Sequence, residues 1–559
     1  MNSFIKKIIT LILLSFSISI FSQYETANWY FGNHAGLSFT SGSPVPLSGG
    51  QIDVEEGMST ISNSCGNLLF YTDGMTIWNH SHQVVLNGTA LMGDSSSTQS
   101  SIIIPKPNNT NIYYIITVDD AFVSPSNNGV RYSILDSSQN NGNGNILTDY
   151  KNLPIVMHAS EKIAAVHAHN GNDIWVVSFA PPTTDTAIPY NTNGNIYNTF
   201  YAIKIGTSGI VSSVVSPINI SVDSGAGYMK IAPNGTKIAI ANMLSNTAYI
   251  FDFDNTTGIV SNPVELDLPT NANEPYGVEF SPDSSKLYIS DKGNYSEGAL
   301  IQYDLSNANT RQIISERQNY RSALQLAPNG KIYQTHTTGY GNGTNTMSVI
   351  DNPNIVDNGC NYRYRFINLG SAGSCHQGLP SFIASNFEQQ NISQIVSNSP
   401  NLYEISSANA FTSVDWDFGD GTTETSYPDN APDNTHTQVT HVYAGTNIYS
   451  ISAILHLTNG CNISLSTNTL TVPTGINEQF LNKIKIYPNP SNSSINIKIP
   501  KNLIISKIIL TDLQGRLVKQ KYFLSNDNMN LNIQDISQGT YILQIFTNKG
   551  IINKQIIKQ

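Results

Sequence analysis

Apolar and polar residues alternate in short runs along most of this chain, and the runs come in pairs. In Tyr276–Ser290, YGVEFSPDSSKLYIS, Val278 and Phe280 alternate with Gly277, Glu279 and Ser281. That is the period of a strand with one buried face. Ser281 to Ser285 is turn chemistry: proline presets φ, and aspartate can bond its own backbone two residues on. Leu287, Tyr288 and Ile289 open a second strand, so the stretch is a hairpin. The hairpin recurs as Gly227–Asn242 and Ala323–His336, with turn prolines at Pro233, Pro282 and Pro328. Looser copies lie at Ser59–Gly74, Ser101–Asp119 and Glu161–Ala180. A repeat of roughly 40–50 residues with strand signals only predicts four-stranded propeller blades.

The two ends of this region lack obvious partners. Asn28–Thr40 (NWYFGNHAGLSFT) and His376–Phe387 (HQGLPSFIASNF) both read as strands. Sharing one blade between them closes a ring and removes exposed edges. Six hairpins plus the shared blade predict a seven-bladed β-propeller over residues 23–390. Two further all-β stretches follow, 395–473 and 484–559, joined by a linker at 474–483. The fold class expected is therefore all-β: a propeller, then two small sandwiches.

Composition supports that picture. Of 559 residues only 12% are charged, and polar turns between short strands account for the profile. The chain opens with Lys6 and Lys7, an apolar run Ile8–Phe21, then Ser22. This is the layout of a secretory signal peptide, residues 1–22, too short in its apolar run to span a bilayer comfortably. The net charge of −11 is uneven: Lys483–Gln559 holds 11 Lys and Arg against 3 Asp, a net of +8, leaving −19 elsewhere. An acidic body argues against a nucleic-acid partner. Export permits disulfides among the four cysteines. Cys360 and Cys375, close in sequence, are the expected pair, and Cys65 and Cys461 are expected as free thiols.

Three stretches resemble known families. NWYFGNHAGLSF, Leu68–Val85, Ser95–Pro107 and HQGLPSFI resemble the N-terminal propeller of large Bacteroidetes surface proteins, of the gliding-motility-associated type. Trp416, Asp417, Phe418, Gly419, Asp420 and Gly421 resemble the WDFGDG signature of PKD domains, which are immunoglobulin-like sandwiches. His441, Val442 and Tyr443 continue that pattern, and Tyr427–Thr435 reads as an insertion. Tyr487, Pro488, Asn489, Pro490, Asp512, Gly515, Gly539, Thr540, Tyr541 and Lys558 resemble the type A C-terminal sorting domain of the type IX secretion system. The last resemblance implies passage through that machinery, removal of the domain, and attachment of the body to lipopolysaccharide at the outer cell surface. Gly515 and Gly539 read as turn positions.

Chemistry is sparse. There is no nucleophile elbow, zinc helix or phosphate-binding glycine loop. His167 and His169 alternate on an expected strand and share a face, half a metal site at most. Asp119 with Asp120, and Asp252 with Asp254, are carboxylate pairs at strand ends; turn capping is the commoner role. Asp415, Asp417 and Asp420 offer oxygens for calcium, but their spacing is not that of an EF-hand loop. Trp29, Trp78 and Trp175 read as blade core. No catalytic, cofactor or metal residue is therefore assigned. The function expected is non-enzymatic binding or adhesion at the cell surface, to polysaccharide or protein. The rival is an extracellular hydrolase or lyase in the propeller mouth. A convergent acid/base pair with a perturbed pKa in a deep mouth would favour the rival; a shallow mouth lined by Asn, Ser and Tyr would favour binding.

Overall fold

The computed structural model describes residues 23–122, 128–182, 197–223, 225–293, 298–317, 319–371, 373–388, 394–399, 401–407, 409–443, 447–471, 484–498, 505–512, 517–522, 530–547 and 550–559. The expected signal peptide, the linker and Gly515 lie outside these residues. The chain divides into two compact units: one runs to Ser393 and includes Ser407–Asn409, the other holds Gln394–Ser406 and Ala410–Gln559.

All six expected hairpins are present, each an antiparallel pair. Their turns show why the motif repeats. Gly235, Ser284 and Gly330 occupy the same turn position, with φ of +70°, +59° and +73°. Glycine takes that conformation without strain. Each donates its N–H three residues back, to the carbonyls of Ala232, Ser281 and Ala327.

Among the described residues, the first unit contains seven successive sheets of three to five strands, plus a two-stranded ribbon. Their first strands are Asn28–Phe31, Ser59–Ser62, Ser101–Pro105, Ile163–His167, Met229–Ile231, Pro275–Phe280 and Leu324–Leu326. The first strands of consecutive sheets pack side by side. Aromatic residues fill the space between sheets: Trp29 lies 4.7 Å from Phe39 and 5.9 Å from Tyr333 of the seventh sheet, centroid to centroid. Trp29 and Trp175 are buried core, and Trp78 stacks on Tyr71 at 5.4 Å.

His376–Phe387 forms no regular strand. It ends in a 3-10 turn, Ala384–Phe387. Its backbone bonds go to several sheets in turn. Ala323 N–H donates to Gln377, Gln377 donates to Glu55, Ser381 donates to Met58, and Leu379 donates to the Tyr228 hydroxyl. Further bridges join Ser381 to Ser59 and Ile383 to Ala165. Gly378 passes so close to Glu56 that a Cβ would sit 1.7 Å from the Glu56 carbonyl oxygen. The segment thus bonds to residues at or near the first strands of several sheets. The N-terminal strand instead pairs with Ala35–Ser38, and the two ends meet where Asn33 and Ser374 exchange backbone hydrogen bonds of 2.9 and 3.0 Å.

The second unit holds two pairs of antiparallel sheets. In the first pair, Gln394–Ser399, Leu402–Ser406 and His436–Thr440 make one sheet, and Thr423–Ser426, Phe411–Asp417, Asn447–Leu457 and Asn462–Thr471 the other. Trp416 and Phe418 are buried and stack at 6.1 Å. In the second pair, Ile495, Ile497 and Leu531 from one sheet share a core with Ile508, Leu510, Tyr541, Leu543 and Ile545 from the other.

The cysteines differ from expectation. Cys65 and Cys461 are each disulfide-bonded, while Cys360 and Cys375 are free and buried. The last two sit in separate clusters. Cys375 donates to the carbonyls of His336 and Thr346, at 3.4 Å each, whereas Cys360 packs with Tyr288 and Ile332.

Candidate functional site

Two sites occur at opposite ends of the same first strands. The first is a buried polar cluster where those strands begin. Glu56, Thr98, Gln99, Glu161, Lys162, Tyr228, Tyr276 and Arg321 all belong to it. Charged groups survive burial there because most find partners. Glu161 accepts from the Thr98 N–H (3.0 Å) and hydroxyl (2.6 Å). Lys162 donates to the Gly225 and Ala226 carbonyls at 3.0 and 2.8 Å. Gln99 joins two sheets, donating to Ile163 and Met229 and accepting from the Met229 N–H. Arg321 and Lys292 both hold Glu274, and Lys230 pairs with Glu279 at 3.0 Å. His376 meets Glu55 at 2.7 Å.

Burial dominates the electrostatics. It pushes Glu56 well up, with Glu161 adding repulsion and Arg321 opposing. Burial also raises Glu161, helped by Asp120, and lowers Lys162 against the pull of Glu161. Tyr276 is fully buried beside Glu56, and its hydroxyl has no hydrogen-bond partner of ordinary length.

The second site is an open cleft of about 710 Å³ at the hairpin-turn ends of the second, third and fourth sheets. Ser62–Ser64, Pro105–Thr110, Gly171 and Asn172 form its rim; Glu25, Ile61, Tyr113, His167, Ile174 and Asn386 line it. Asparagine shapes the rim. Asn63 Oδ1 accepts from the N–H groups of Cys65 and Asn67, and Asn109 Oδ1 from those of Asn111 and Ile112. Burial raises Glu25 to about 7 and Tyr113 to about 12, and lowers His167 to about 3. Formal charge in the cleft is thus small near neutral pH, with Lys106 its one described cation.

The expected residues separate cleanly. Asp120 joins the buried cluster through Glu161, while Asp119 ties down its own loop by accepting from the Asn128 N–H at 2.6 Å. Asp252 pairs with Lys237, and Asp254 caps a turn by accepting from Thr256 and Thr257. His167 and His169 do not share a face, because the strand ends at His167. His167 bonds Ser385 at 2.7 Å and His169 is exposed. Asp415 and Asp420 pair with His456 and His441. Glu56, Glu161, Lys162 and Arg321 form no known motif in the sequence. Their common signal is a charged residue one to three positions ahead of a hairpin's first strand.

Asn489 of the YPNP stretch accepts from the Ile557 N–H and donates to the Gln555 carbonyl, both at 2.8 Å. It thereby clamps the last strand. Residues 485–559 match the family described as secretion system C-terminal sorting domain. This segment is similar to a type IX sorting signal. The protein is exported to the outer cell surface or beyond and engages the type IX secretion machinery. No curated protein matches the chain. Similar solved structures include Kuenenia stuttgartiensis hydrazine synthase, with 11% identity, TM-score 0.34, and coverage of 71% of this chain and 99% of that one. A putative 6-phosphogluconolactonase from Bacteroides uniformis has 12% identity, TM-score 0.30, and coverage of 74% and 99%. At that level the likeness assigns neither fold family nor activity.

Proposed function

We propose that the chain is a surface-attached binding protein whose first unit is a seven-bladed propeller. The side-by-side first strands and the meeting of Asn33 with Ser374 support a ring closed by its two ends. The WDFGDG stretch supports reading Gln394–Thr471 as a PKD module, with adhesion in the gliding-motility context as its setting. A cleaved signal peptide at 1–22 and a lipopolysaccharide anchor after loss of 484–559 complete the reading. The observation that carries binding over catalysis is the open cleft lined by amides and hydroxyls.

One observation favours the rival: Glu56, Glu161 and Asp120 converge with raised pKa values. Glu56 and Glu161 are only 5% and 1% exposed, however, and Glu56 lies against the segment that carries Gly378. Glycan and protein arrays probed with the full chain separate the two. Retention of an uncleaved ligand supports binding. Release of product that Glu161→Gln abolishes would replace the reading with a hydrolase or lyase.

A further inference from the structure

The open cleft has an interior as well as a rim. Asn386 lies on its lining, is 3% exposed, and its Oδ1 has no hydrogen-bond partner. Asn409, from the short stretch that packs with this unit, also lines the cleft, and its Nδ2 is buried without a partner. A buried amide left unpaired costs roughly 1–3 kcal/mol, so such atoms mark a place where a ligand completes the bonding. One is an acceptor and the other a donor. Hydroxyl groups offer both complements, since each donates one hydrogen and accepts on two lone pairs.

The rest of the cleft fits the same chemistry. Ile61, Ile174 and Tyr113 supply apolar surface beside the amides, which suits the mixed faces of a sugar ring. Glu25 is held near neutrality by burial. A phosphate or sulfate would call for a cluster of Arg or Lys with bidentate donors, and Lys106 stands alone. The volume falls within the roughly 300–1,000 Å³ of small-molecule sites. We propose that this cleft binds a neutral oligosaccharide, with the Asn386 carbonyl oxygen and the Asn409 amide as its inner contacts. The proposal rests on the reading of the chain as a binding protein and adds its site and ligand class.

The test uses the full purified chain and a panel of neutral oligosaccharides: maltotriose, cellotriose, chitotriose and mannotriose, with sialyllactose as an anionic member. Affinity is read by titration calorimetry and stability by thermal melting. Asn386→Leu removes the inner acceptor, and Asn172→Trp obstructs the exposed rim without touching the core. At least one neutral sugar should bind, with affinity lowered tenfold or more in both variants and melting unchanged in Asn172→Trp. If Asn386→Leu fails to fold, Asn172→Trp decides. Binding that survives Asn172→Trp, binding of sialyllactose alone, or no binding at millimolar sugar overturns the proposal. An array ligand that ignores Asn172→Trp would leave the binding reading standing and sink only this site. Turnover lost in Glu161→Gln would sink both.

Discussion

Two residues show how burial converts into measurable behaviour. Glu25 sits in a 3-10 turn at the cleft wall, and burial raises its carboxyl from 4.5 to about 7. The folded state therefore holds this proton more tightly than the unfolded chain does. Stability is complete below the unfolded value and falls as pH rises from about 4.5 to about 7, after which the loss levels off. Part of the side chain still meets solvent, so the loss is at most about 3 kcal/mol. Glu25→Gln should flatten the melting temperature across this window. A wild-type melting temperature that rises between those pH values, unchanged by the substitution, would refute the assignment. Trp416 makes the opposite case, a large side chain with nothing to titrate. It is buried, stacks on Phe418, and donates from Nε1 to the Ser426 hydroxyl at 2.9 Å. Trp416→Ala should cost about 3–5 kcal/mol, seen as loss of protease resistance across 394–471. A mutant that melts as the wild type does would show that the ring is not core.

At the scale of elements, the hairpin turn is the unit that repeats, and its stability is local. Asp283 Oδ1 accepts from the Ser281 hydroxyl (2.7 Å), the Ser285 N–H (3.0 Å) and the Ser285 hydroxyl (2.8 Å). Asp283→Ala should cost about 1 kcal/mol, read as a lower denaturation midpoint with unchanged slope. No change would mean that Ser284, already at positive φ, holds the turn unaided. This locality explains what was legible. Pro233, Pro282 and Pro328 mark turns whose hydrogen bonds close within a few residues, so alternation and turn residues were enough to find all six hairpins. His376–Phe387 reads as a strand in sequence but forms none, because its partners lie on different sheets, and Pro380 and Gly378 break any single ladder. The cysteine pairing failed for the same reason: short separation in sequence says nothing of which cluster each thiol enters. The cleft was invisible beforehand, since Glu25, Asn109, Asn172 and Asn386 are brought together only by the packing of consecutive sheets.

For the whole molecule, the C-terminal segment decides where everything else ends up. Residues 485–559 match a secretion-system sorting domain, and their physical features single out the parts to test. Lys483–Gln559 is basic, +8 against −19 for the remainder, yet exposed charges are screened beyond about 8–10 Å at physiological salt. Charge is thus a weak address, and shape must carry recognition. That shape depends on the last strand, Gly550–Lys558, which pairs along Gly539–Thr547 and is held at its other edge by Asn489 and Ser491. Gly539 begins a strand and does not form a turn, so the expectation of a turn there gives way to a strand edge. Tyr487 is exposed beside this clamp and free to be read by the machinery. Deleting 484–559 should trap the body in the periplasm, and a reporter fused to this segment alone should reach the surface. Asn489→Ala should lower surface display several-fold while leaving synthesis unchanged, because it loosens the last strand without removing it. Cell fractionation with immunoblotting measures all three. Undiminished display of the truncated body would show that the address lies elsewhere. Undiminished display of Asn489→Ala alone would show that the clamp is dispensable to the signal.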